Sequence, residues 1–170
     1  MPRRYAIVAA MSIRPARADD FAAIAAITNH YIATTAIHFA YEPLAADEIA
    51  AAWGDHADQF PWFVVDEGNV IGYAKAGTWR DRAAYRWTTE IGLYLDPDAC
   101  GRGLGRALYG ALLPELTRRG FRSAIAGMTL PNPASRALHV ALGFEPIGIV
   151  RDAGFKHERW HDVEFFQKRL

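Results

Sequence analysis

The spacing of apolar residues changes along the chain, and each change marks a predicted element. The stretch "SIRPA" at 12–16 predicts a short strand. After it, apolar residues recur at helical spacing, at Phe21, Ile24, Ile27 and Tyr31. Asp19 or Asp20 is expected to cap this helix, because a side-chain oxygen at that position can accept a free amide of the first turn. A second helix is predicted over Leu44 to Ala57.

The middle of the chain is rich in β-branched and aromatic residues. The run "PWFVVDEGNVIGYAKAG" at 61–77 predicts a hairpin, whose turn contains Gly68 and Asn69, two residues suited to a positive φ. The run "RWTTEIGLYL" at 86–95 predicts a third long strand. That strand leads directly into a glycine-rich turn.

Helix and strand patterns alternate after the turn. A helix is predicted over Leu104 to Arg119, ending at Gly120, and Pro114 is expected to kink it. One side of this helix carries leucines at 104, 108, 112 and 116. The run "SAIAGMTL" at 123–130 then predicts a buried strand.

The C-terminal part predicts one more helix and two strands. In "PNPASRALHVALGF" a helix is expected to begin with Asn132 as its N-cap and Pro133 at its first position. Strands are predicted at Ile147 to Val150 and at Val163 to Lys168, on either side of a loop, "RDAGFKHERWHD".

This order of elements predicts an α/β (α+β) fold, with a mixed central sheet of about six to seven strands flanked by about four helices. No repeat, low-complexity tract or linker interrupts residues 12–170, so they are expected to form a single domain. Residues 1–11 are expected to be a disordered leader, or translation starts at Met11. Their short apolar run lies at the lower limit for a signal-peptide core.

Composition and charge narrow the classes of function. The chain of 170 residues is 51% hydrophobic and 22% charged, which is enough apolar content for a substantial core. Its formal net charge is zero, so neither nucleic acid nor an anionic membrane is expected as a partner. The single cysteine, Cys100, fits a reducing cytoplasm and excludes a disulfide or a thiolate zinc site within one chain. No metal is expected.

The turn "CGRGLGRAL" at 100–108 has three competing interpretations. A Walker-type phosphate loop ends in Gly-Lys-Ser/Thr, whereas here the last glycine is followed by Arg106. A dinucleotide fingerprint starting at Gly101 would need Gly or Ala at Arg106 and an acidic residue about 20 positions later. The third interpretation, a structural turn without a ligand, stays open on this motif alone.

The position of the turn before a helix favours an anion. The backbone amides of residues 101–106 precede a helix N-terminus, where free N–H groups and the helix dipole attract negative charge. Arg102 and Arg106 add charge without supplying a base or a metal ligand. The turn is therefore predicted to bind a diphosphate rather than to cleave one.

With four other stretches, the turn resembles the GNAT acetyltransferase superfamily, and within it the phosphinothricin (methionine sulfoximine or sulfone) N-acetyltransferase branch. The stretches are "TNHYIATTAIHF", "WRDRAAYRWTTEIGLYL", "GRGLGRALY", "LPNPASRALHVALGF" and "AGFKHERWHDVEFFQ". The resemblance covers nearly the whole chain from Ile13 onward. It implies a GNAT fold and transfer of an acetyl group from acetyl-CoA to the primary amine of a small amino-acid-like substrate. Cys100 departs from the family pattern of Gln or Arg, so one contact to the diphosphate is expected to be missing.

The resemblance also implies which residues bind the coenzyme. In the family, the strand before the turn pairs with the pantetheine arm, so Leu93 and Leu95 are candidates for amide and carbonyl contacts. Asn132 is expected to reach the pantetheine or a neighbouring water. The full predicted set is Leu93, Tyr94, Leu95, Gly101, Arg102, Gly103, Leu104, Gly105, Arg106, Asn132 and Ser135.

Two residues match catalytic positions of the family. Glu90 matches the glutamate that takes the amine proton, directly or through a water, and an unpaired carboxylate in so apolar a strand is costly. His139 stands where many GNAT enzymes have a tyrosine that protonates the coenzyme A thiolate, and the phosphinothricin branch has histidine there. A surface-facing Glu90 and a structural His139 remain the alternatives.

The segment "WRDRAAYRW" at 79–87 concentrates arginines and aromatic residues just before Glu90. A charge run of this kind is usually a solvated surface. The matching segment of the family binds the carboxylate and the tetrahedral sulfur or phosphorus oxygens of an amino-acid analogue, and arginine suits such oxyanions. The resemblance thus implies substrate binding by Arg80, Arg82 and Tyr85, with Phe39 as an apolar wall.

Other functions share parts of this pattern. A protein or peptide N-acetyltransferase would use the same coenzyme turn with an open groove, and a non-catalytic acyl-CoA-binding module would bind without transferring acetyl. A DNA-binding function lacks a basic surplus. Similar proteins form two-fold homodimers with their C-terminal segments near the active sites, so a homodimer is expected.

Overall fold

The computed structural model describes residues 11–170, which form a mixed sheet of seven strands flanked by four α-helices. The strands are β1 (Ser12–Pro15), β2 (Trp62–Asp66), β3 (Val70–Thr78), β4 (Thr88–Leu95), β5 (Ser123–Thr129), β6 (Glu145–Lys156) and β7 (Arg159–Arg169). The helices are α1 (Phe21–Thr34), α2 (Ala46–Gly54), α3 (Leu104–Arg118) and α4 (Pro133–Ala141). The predicted fold class is confirmed. The expected leader, apart from Met11, lies outside the described residues.

The sheet has the strand order β1-β2-β3-β4-β5-β7-β6. Only the central pair, β4 and β5, is parallel, and every other pair of neighbours is antiparallel. The C-terminal strand β7 lies between β5 and β6, so the last strand of the chain completes the sheet beside its centre.

Different helices pack against the two faces of the sheet. On one face α3 contributes four leucines with at most 2% exposure, which confirms the predicted leucine side: Leu104, Leu108, Leu112 and Leu116. Helix α3 continues through Pro114 and is followed by Gly120, whose φ of 87° fits the predicted C-cap. On the other face α1 packs Phe21 and Ile24 against Val64 and Tyr73.

Both boundaries of α2 differ from the sequence prediction. Helix α2 begins at Ala46 rather than Leu44, because the side chain of Asn29 bonds both the amide and the carbonyl of Leu44 and holds it outside the helix. It ends at Gly54, before the predicted end at Ala57. Asp20 precedes α1 but does not cap it, since its carboxylate instead accepts the backbone amide of Arg17.

The predicted loop between the last two strands is wrong. Most of that segment is paired β-structure, and the hairpin closes with Lys156 opposite Arg159. Its turn residues His157 and Glu158 have φ values of 50° and 60°, a region that residues other than glycine adopt uncommonly, and neither is the glycine that usually follows Asn or Asp in such a turn. Because the turn lacks the residues that usually form hairpin turns, the sequence pattern did not predict the hairpin. In the earlier predicted hairpin, Gly68 has a φ of 91°, whereas Asn69 does not adopt a positive φ.

Within residues 11–170, no helix combines the length and the apolar content needed to cross a membrane.

Asp20 belongs to a charged cluster that ties β1 and β2 to the start of α1. Arg14 donates two hydrogen bonds to Asp20, at 2.7 and 2.8 Å, and two more to Asp66 on β2. Burial raises the pKa of Asp20, but the bonds from Arg14 and from the Arg17 amide outweigh it, so the net shift is downward. The ionised carboxylate therefore stabilises the folded state.

Replacing Asp20 with asparagine is expected to lower the free energy of unfolding at pH 7 by about 1.5–3 kcal/mol, the range for hydrogen bonds to charged groups. Because the folded-state pKa is lowered, this contribution is present above the carboxyl's unfolded pKa of about 4 and is lost as pH falls through the folded value. Urea unfolding of both proteins at several pH values measures this contribution. Asp19→Asn, in the same turn but exposed, is the control. A deficit that stayed constant into acid would contradict the assigned role of Asp20.

Candidate functional site

A cleft opens where β4 and β5 part. The two strands pair from Thr88 and Ser123 as far as Ile91 and Ala126, and then diverge. The cleft between them has a volume of about 600 Å³ and reaches the start of α3 on one side and α4 on the other. Beyond Ile91 the facing backbone edges of the two strands no longer pair with each other, which leaves polar groups for a ligand.

The cleft brings together most of the predicted coenzyme-binding residues. Leu93, Tyr94 and Leu95 line it from β4, although the carbonyl of Leu95 already accepts a hydrogen bond of 2.7 Å from Tyr31. From α4, Ser135 lines it together with Asn132, whose side chain accepts the Ser135 amide as the predicted N-cap.

The glycine turn forms one end of the cleft. Gly101 and Gly103 both have a φ of 78°, and a Cβ at either position would meet no atom within 4 Å, so backbone conformation rather than space requires glycine there. Gly105 differs, because a Cβ there would lie 3.0 Å from the side chain of Leu138. The first amides of α3 follow this turn, and free amides at a helix start suit an anionic group.

The two arginines of the turn point in different directions. Arg106 lines the cleft, as do Leu104 and the neighbouring glycines. Arg102 points away and pairs with Glu67, so its side chain does not line the cleft. Cys100 is exposed and lines the cleft, with its sulfur 3.7 Å from the carbonyl oxygen of Asp96.

His139 lies in the wall of the cleft and is only 4% exposed. Its Nδ1 is 2.7 Å from the carbonyl oxygen of Ser135, which places the ring proton on Nδ1 and leaves Nε2 facing the hydroxyl of Tyr109 at 3.4 Å. Burial lowers the pKa of His139 more than the Ser135 contact raises it. Burial also raises the pKa of Tyr109, so both side chains are neutral near pH 7.

Glu90 lies on β4 between two further cavities, of about 620 and 420 Å³. Its side chain reaches solvent, yet the surrounding protein removes part of its hydration and raises the pKa of the carboxyl, while the positive charges of Lys75 and Arg80 oppose that shift. Gly127 on β5 lines both of these cavities and also the cleft, so all three meet beside Glu90.

The larger of the two cavities holds part of the predicted acceptor site. Phe39 and Arg80 line it with Glu90, and the Arg80 guanidinium lies 4.7 Å from the ring centroid of Trp79. Arg82 and Tyr85 do not line it, since they lie in the exposed turn that precedes β4.

Three residues of the site were not predicted from the sequence. Gly127 interrupts an apolar strand, and a glycine inside a strand is a signal of close approach. Lys75 is a charged residue inside the apolar run of β3, and a charged residue in an apolar strand is also the feature that indicated Glu90. The sequence did not identify Tyr109 as a site residue, because a tyrosine at a core position of a helix usually serves packing. Within the described part of the chain, no three His, Cys, Asp or Glu side chains cluster as a metal site.

Comparison with known proteins gives consistent matches. Residues 19–144 match the model of the Acetyltransferase (GNAT) family. The chain is 43% identical over 159 residues to a phosphinothricin N-acetyltransferase of Streptomyces viridochromogenes, covering 93% of this chain and 87% of that protein. It is 36% identical over 163 residues to an L-methionine sulfoximine/L-methionine sulfone acetyltransferase of Salmonella typhimurium, covering 94% and 95%.

A solved structure has the same architecture. The phosphinothricin acetyltransferase of Sinorhizobium meliloti, crystallised in complex with acetyl-CoA, superposes with a TM-score of 0.90 at 39% identity, covering 94% of this chain and 88% of that one. The parted strands and the glycine turn of this chain therefore belong to a fold that holds an acyl-coenzyme in that relative.

Proposed function

The chain belongs to the GNAT family of acetyltransferases, and we propose that it transfers an acetyl group from acetyl-CoA to the primary amine of a small amino-acid-like acceptor. The acceptor is of the phosphinothricin, methionine sulfoximine or methionine sulfone type. One observation carries this proposal: a cleft suited to an acyl-coenzyme and two cavities that Glu90 lines on the acceptor side meet at Gly127. Residues 12–170 act as one catalytic domain, because β7 completes the sheet beside β5.

The residues of the cleft fit acetyl-CoA. The positive-φ glycines and the free amides at the start of α3 suit the diphosphate, and Arg106 adds a positive charge beside them. The edge of β4 beyond Ile91 is not paired with β5 and suits the amide groups of the pantetheine arm at Leu93, whereas the Leu95 carbonyl also accepts a hydrogen bond from Tyr31. When bound, the coenzyme supplies the acetyl thioester. Arg102 lies outside the cleft and pairs with Glu67, so to bind the diphosphate it would have to exchange that carboxylate for the coenzyme.

Glu90 acts as the general base. The acceptor arrives mainly as an ammonium ion, and it must lose a proton before its nitrogen can form a bond to the acetyl carbon. Glu90 lies where the acceptor cavities meet the cleft, and the raised pKa of its carboxyl makes it a better proton acceptor than a fully solvated glutamate. As the new C–N bond forms and the C–S bond breaks, the proton from nitrogen passes to Glu90, directly or through a water.

His139 and Tyr109 are the proton-handling pair beside the cleft. The departing sulfur leaves as a thiolate and needs a proton. Both side chains line the cleft and are uncharged near neutral pH, and they contact each other through Nε2 and the hydroxyl. When the Tyr109 hydroxyl donates its proton to the sulfur, a proton from solvent replaces it, so the pair is neutral again before the next cycle.

Arg80 binds the acceptor's carboxylate. It is fixed beside the acceptor cavity by its stacking on Trp79 and has a planar guanidinium that matches a carboxylate. Phe39 forms an apolar wall of the same cavity. Arg82 and Tyr85 contribute at the outer rim, from the turn before β4. The enzyme acts in the cytoplasm, in keeping with the exposed thiol of its single cysteine, Cys100.

A thiol-release assay with acetyl-CoA tests this function. Phosphinothricin, methionine sulfoximine and methionine sulfone are expected to be acetylated at least about tenfold more efficiently than short peptides with free N-termini, because Arg80 recognises a carboxylate next to the amine. Preferential turnover of the peptides would favour a peptide N-acetyltransferase. Coenzyme binding without turnover of any amine would favour a binding module.

Replacing Glu90 with glutamine is expected to lower the turnover number by about 10²- to 10⁴-fold, the range for positioned general bases. Affinity for acetyl-CoA, measured by calorimetry, should barely change, because Glu90 lies on the acceptor side of the sheet. The deficit should shrink between about pH 6 and 9, since more amine arrives neutral as pH rises. The exposed Glu145→Gln is the control. Near wild-type turnover at every pH would show that deprotonation occurs elsewhere.

Two copies of the chain form a homodimer through the hairpin of β6 and β7. The edge strand β6 is almost entirely exposed, and its apolar residues include Ile147, Val150 and Phe155, with Trp160 beside them at 60% exposure. An apolar sheet edge of this kind is normally covered by a partner. The same strand lines the acceptor cavity at Gly148 and Ile149, so the dimer contact supports the site.

Light scattering at micromolar concentration is expected to give about twice the monomer mass of 18.9 kDa. Trp160→Lys should shift the protein towards monomer, because it places a charge in the apolar contact. Trp87→Lys changes another exposed tryptophan, away from the hairpin, and should leave the mass unchanged. A wild-type protein that is monomeric under these conditions would refute the dimer.

A further inference from the structure

Lys75 lies on the same face of the sheet as Glu90. In the register of β3 and β4, Lys75 is opposite Gly92, and Gly77 is opposite Glu90. Because side chains alternate along a strand, these four residues share one face. The two glycines leave that face open, and a Cβ at Gly92 would lie 3.6 Å from Cε of Lys75, so the lysine stem extends across Gly92.

The Lys75 ammonium has an aromatic neighbour but no counterion. It lies 5.3 Å from the ring centroid of Trp62, and among residues 11–170 no carboxylate or hydrogen-bond acceptor lies within bonding distance. It lines the cavity of about 420 Å³ together with Trp53, Trp62 and Tyr94. Burial lowers the pKa of Lys75, and the charge of Glu90 opposes that shift. A cation so placed is costly for folding alone, which suggests that an anionic ligand completes it.

This cavity continues into the one that contains Arg80. Both are lined by Glu90 and Gly127, so Lys75 and Arg80 lie in adjoining cavities that share the general base. An acceptor whose amine is at Glu90 can therefore place its carboxylate at Arg80 and extend its side chain towards Lys75.

We propose that Lys75 is a specificity-determining residue that binds an anionic group at the far end of the acceptor side chain. The proposal rests on the proposed acetyl transfer to amino-acid-like acceptors. It specifies acceptors that carry two negative groups, one next to the amine and one at the end of the side chain. The enzyme then prefers such acceptors to neutral ones of equal size.

Two acceptors have nearly the same shape but differ in charge. Phosphinothricin and methionine sulfone share the same amino-acid backbone and two-carbon side chain. Each ends in a tetrahedral centre with a methyl group and two oxygens. The phosphinate is negatively charged at neutral pH and the sulfone is not. A salt bridge to Lys75 therefore distinguishes them, whereas apolar packing does not.

The test compares kcat/KM for both acceptors in the wild type and in Lys75→Met. Methionine keeps a straight apolar chain over Gly92 and Trp62 but removes the charge. The wild type is expected to prefer phosphinothricin. The variant should lose about 10- to 100-fold in kcat/KM for phosphinothricin, mainly through KM, and less than about threefold for methionine sulfone. Lys75→Arg should restore part of the preference, and Lys168→Met is the matched control for removing a lysine elsewhere.

Several results would contradict the role proposed for Lys75. An unchanged ratio between the two acceptors in Lys75→Met would overturn the proposal, as would a wild type that prefers the sulfone. Equal losses for both acceptors with a shifted pH profile would show that Lys75 acts only through Glu90. If Lys75→Met fails to bind acetyl-CoA in calorimetry, Lys75→Gln replaces it. Absence of thiol release with every small amino-acid acceptor would contradict the proposed function and with it the role of Lys75, whereas the ratio in Lys75→Met tests that role alone.

Discussion

The parallel pairing of β4 and β5 ends after four residue pairs, and the organisation of the site depends on that interruption. Each strand is still held along its other edge. Strand β4 pairs with β3 as far as Leu95, and β5 pairs with β7 as far as Thr129. The outer strands therefore keep the two central strands apart, and no conformational change is needed to expose their backbone edges. Such preorganisation lowers the cost of binding a ligand between them.

Glycines mark the point of divergence. Gly92 follows the last paired residue of β4, and Gly127 follows the last paired residue of β5. A Cβ at Gly127 would lie 2.9 Å from the ring of Phe165, so a side chain there would displace the wall that this ring forms. The absence of side chains at the two positions leaves the cleft open to the cavities that Glu90 lines. In the proposed reaction, the acetyl group and the amine meet at this opening.

The regular elements could be predicted from the sequence because each has one dominant signal. The leucines of α3, the caps at Asn132 and Gly120 and the β-rich run of β4 all agree with the tertiary structure. The prediction failed at the last hairpin, whose turn of His157 and Glu158 is held by pairing between the strands rather than by turn-forming residues.

The site was predicted less completely than the fold. The residues around the glycine turn share a local motif, and its position before a helix indicates an anion site. The direction of Arg102, by contrast, depends on Glu67 in a distant hairpin, and no local pattern contains that contact. Lys75 and Glu90 are far apart in the sequence, so the register of β3 and β4 is needed to place them on one face.

Two cations of the site have no carboxylate partner in the described part of the chain. Several arginines elsewhere have one, as Arg14 does in Asp20 and Arg118 in Glu115. Lys75 and Arg80 instead lie against the rings of Trp62 and Trp79, and neither has an ion-pair partner among residues 11–170. An aromatic ring positions a cation without neutralising it. In the proposed acceptor complex, an anion need not displace a carboxylate, so most of its attraction to the two cations remains available for binding.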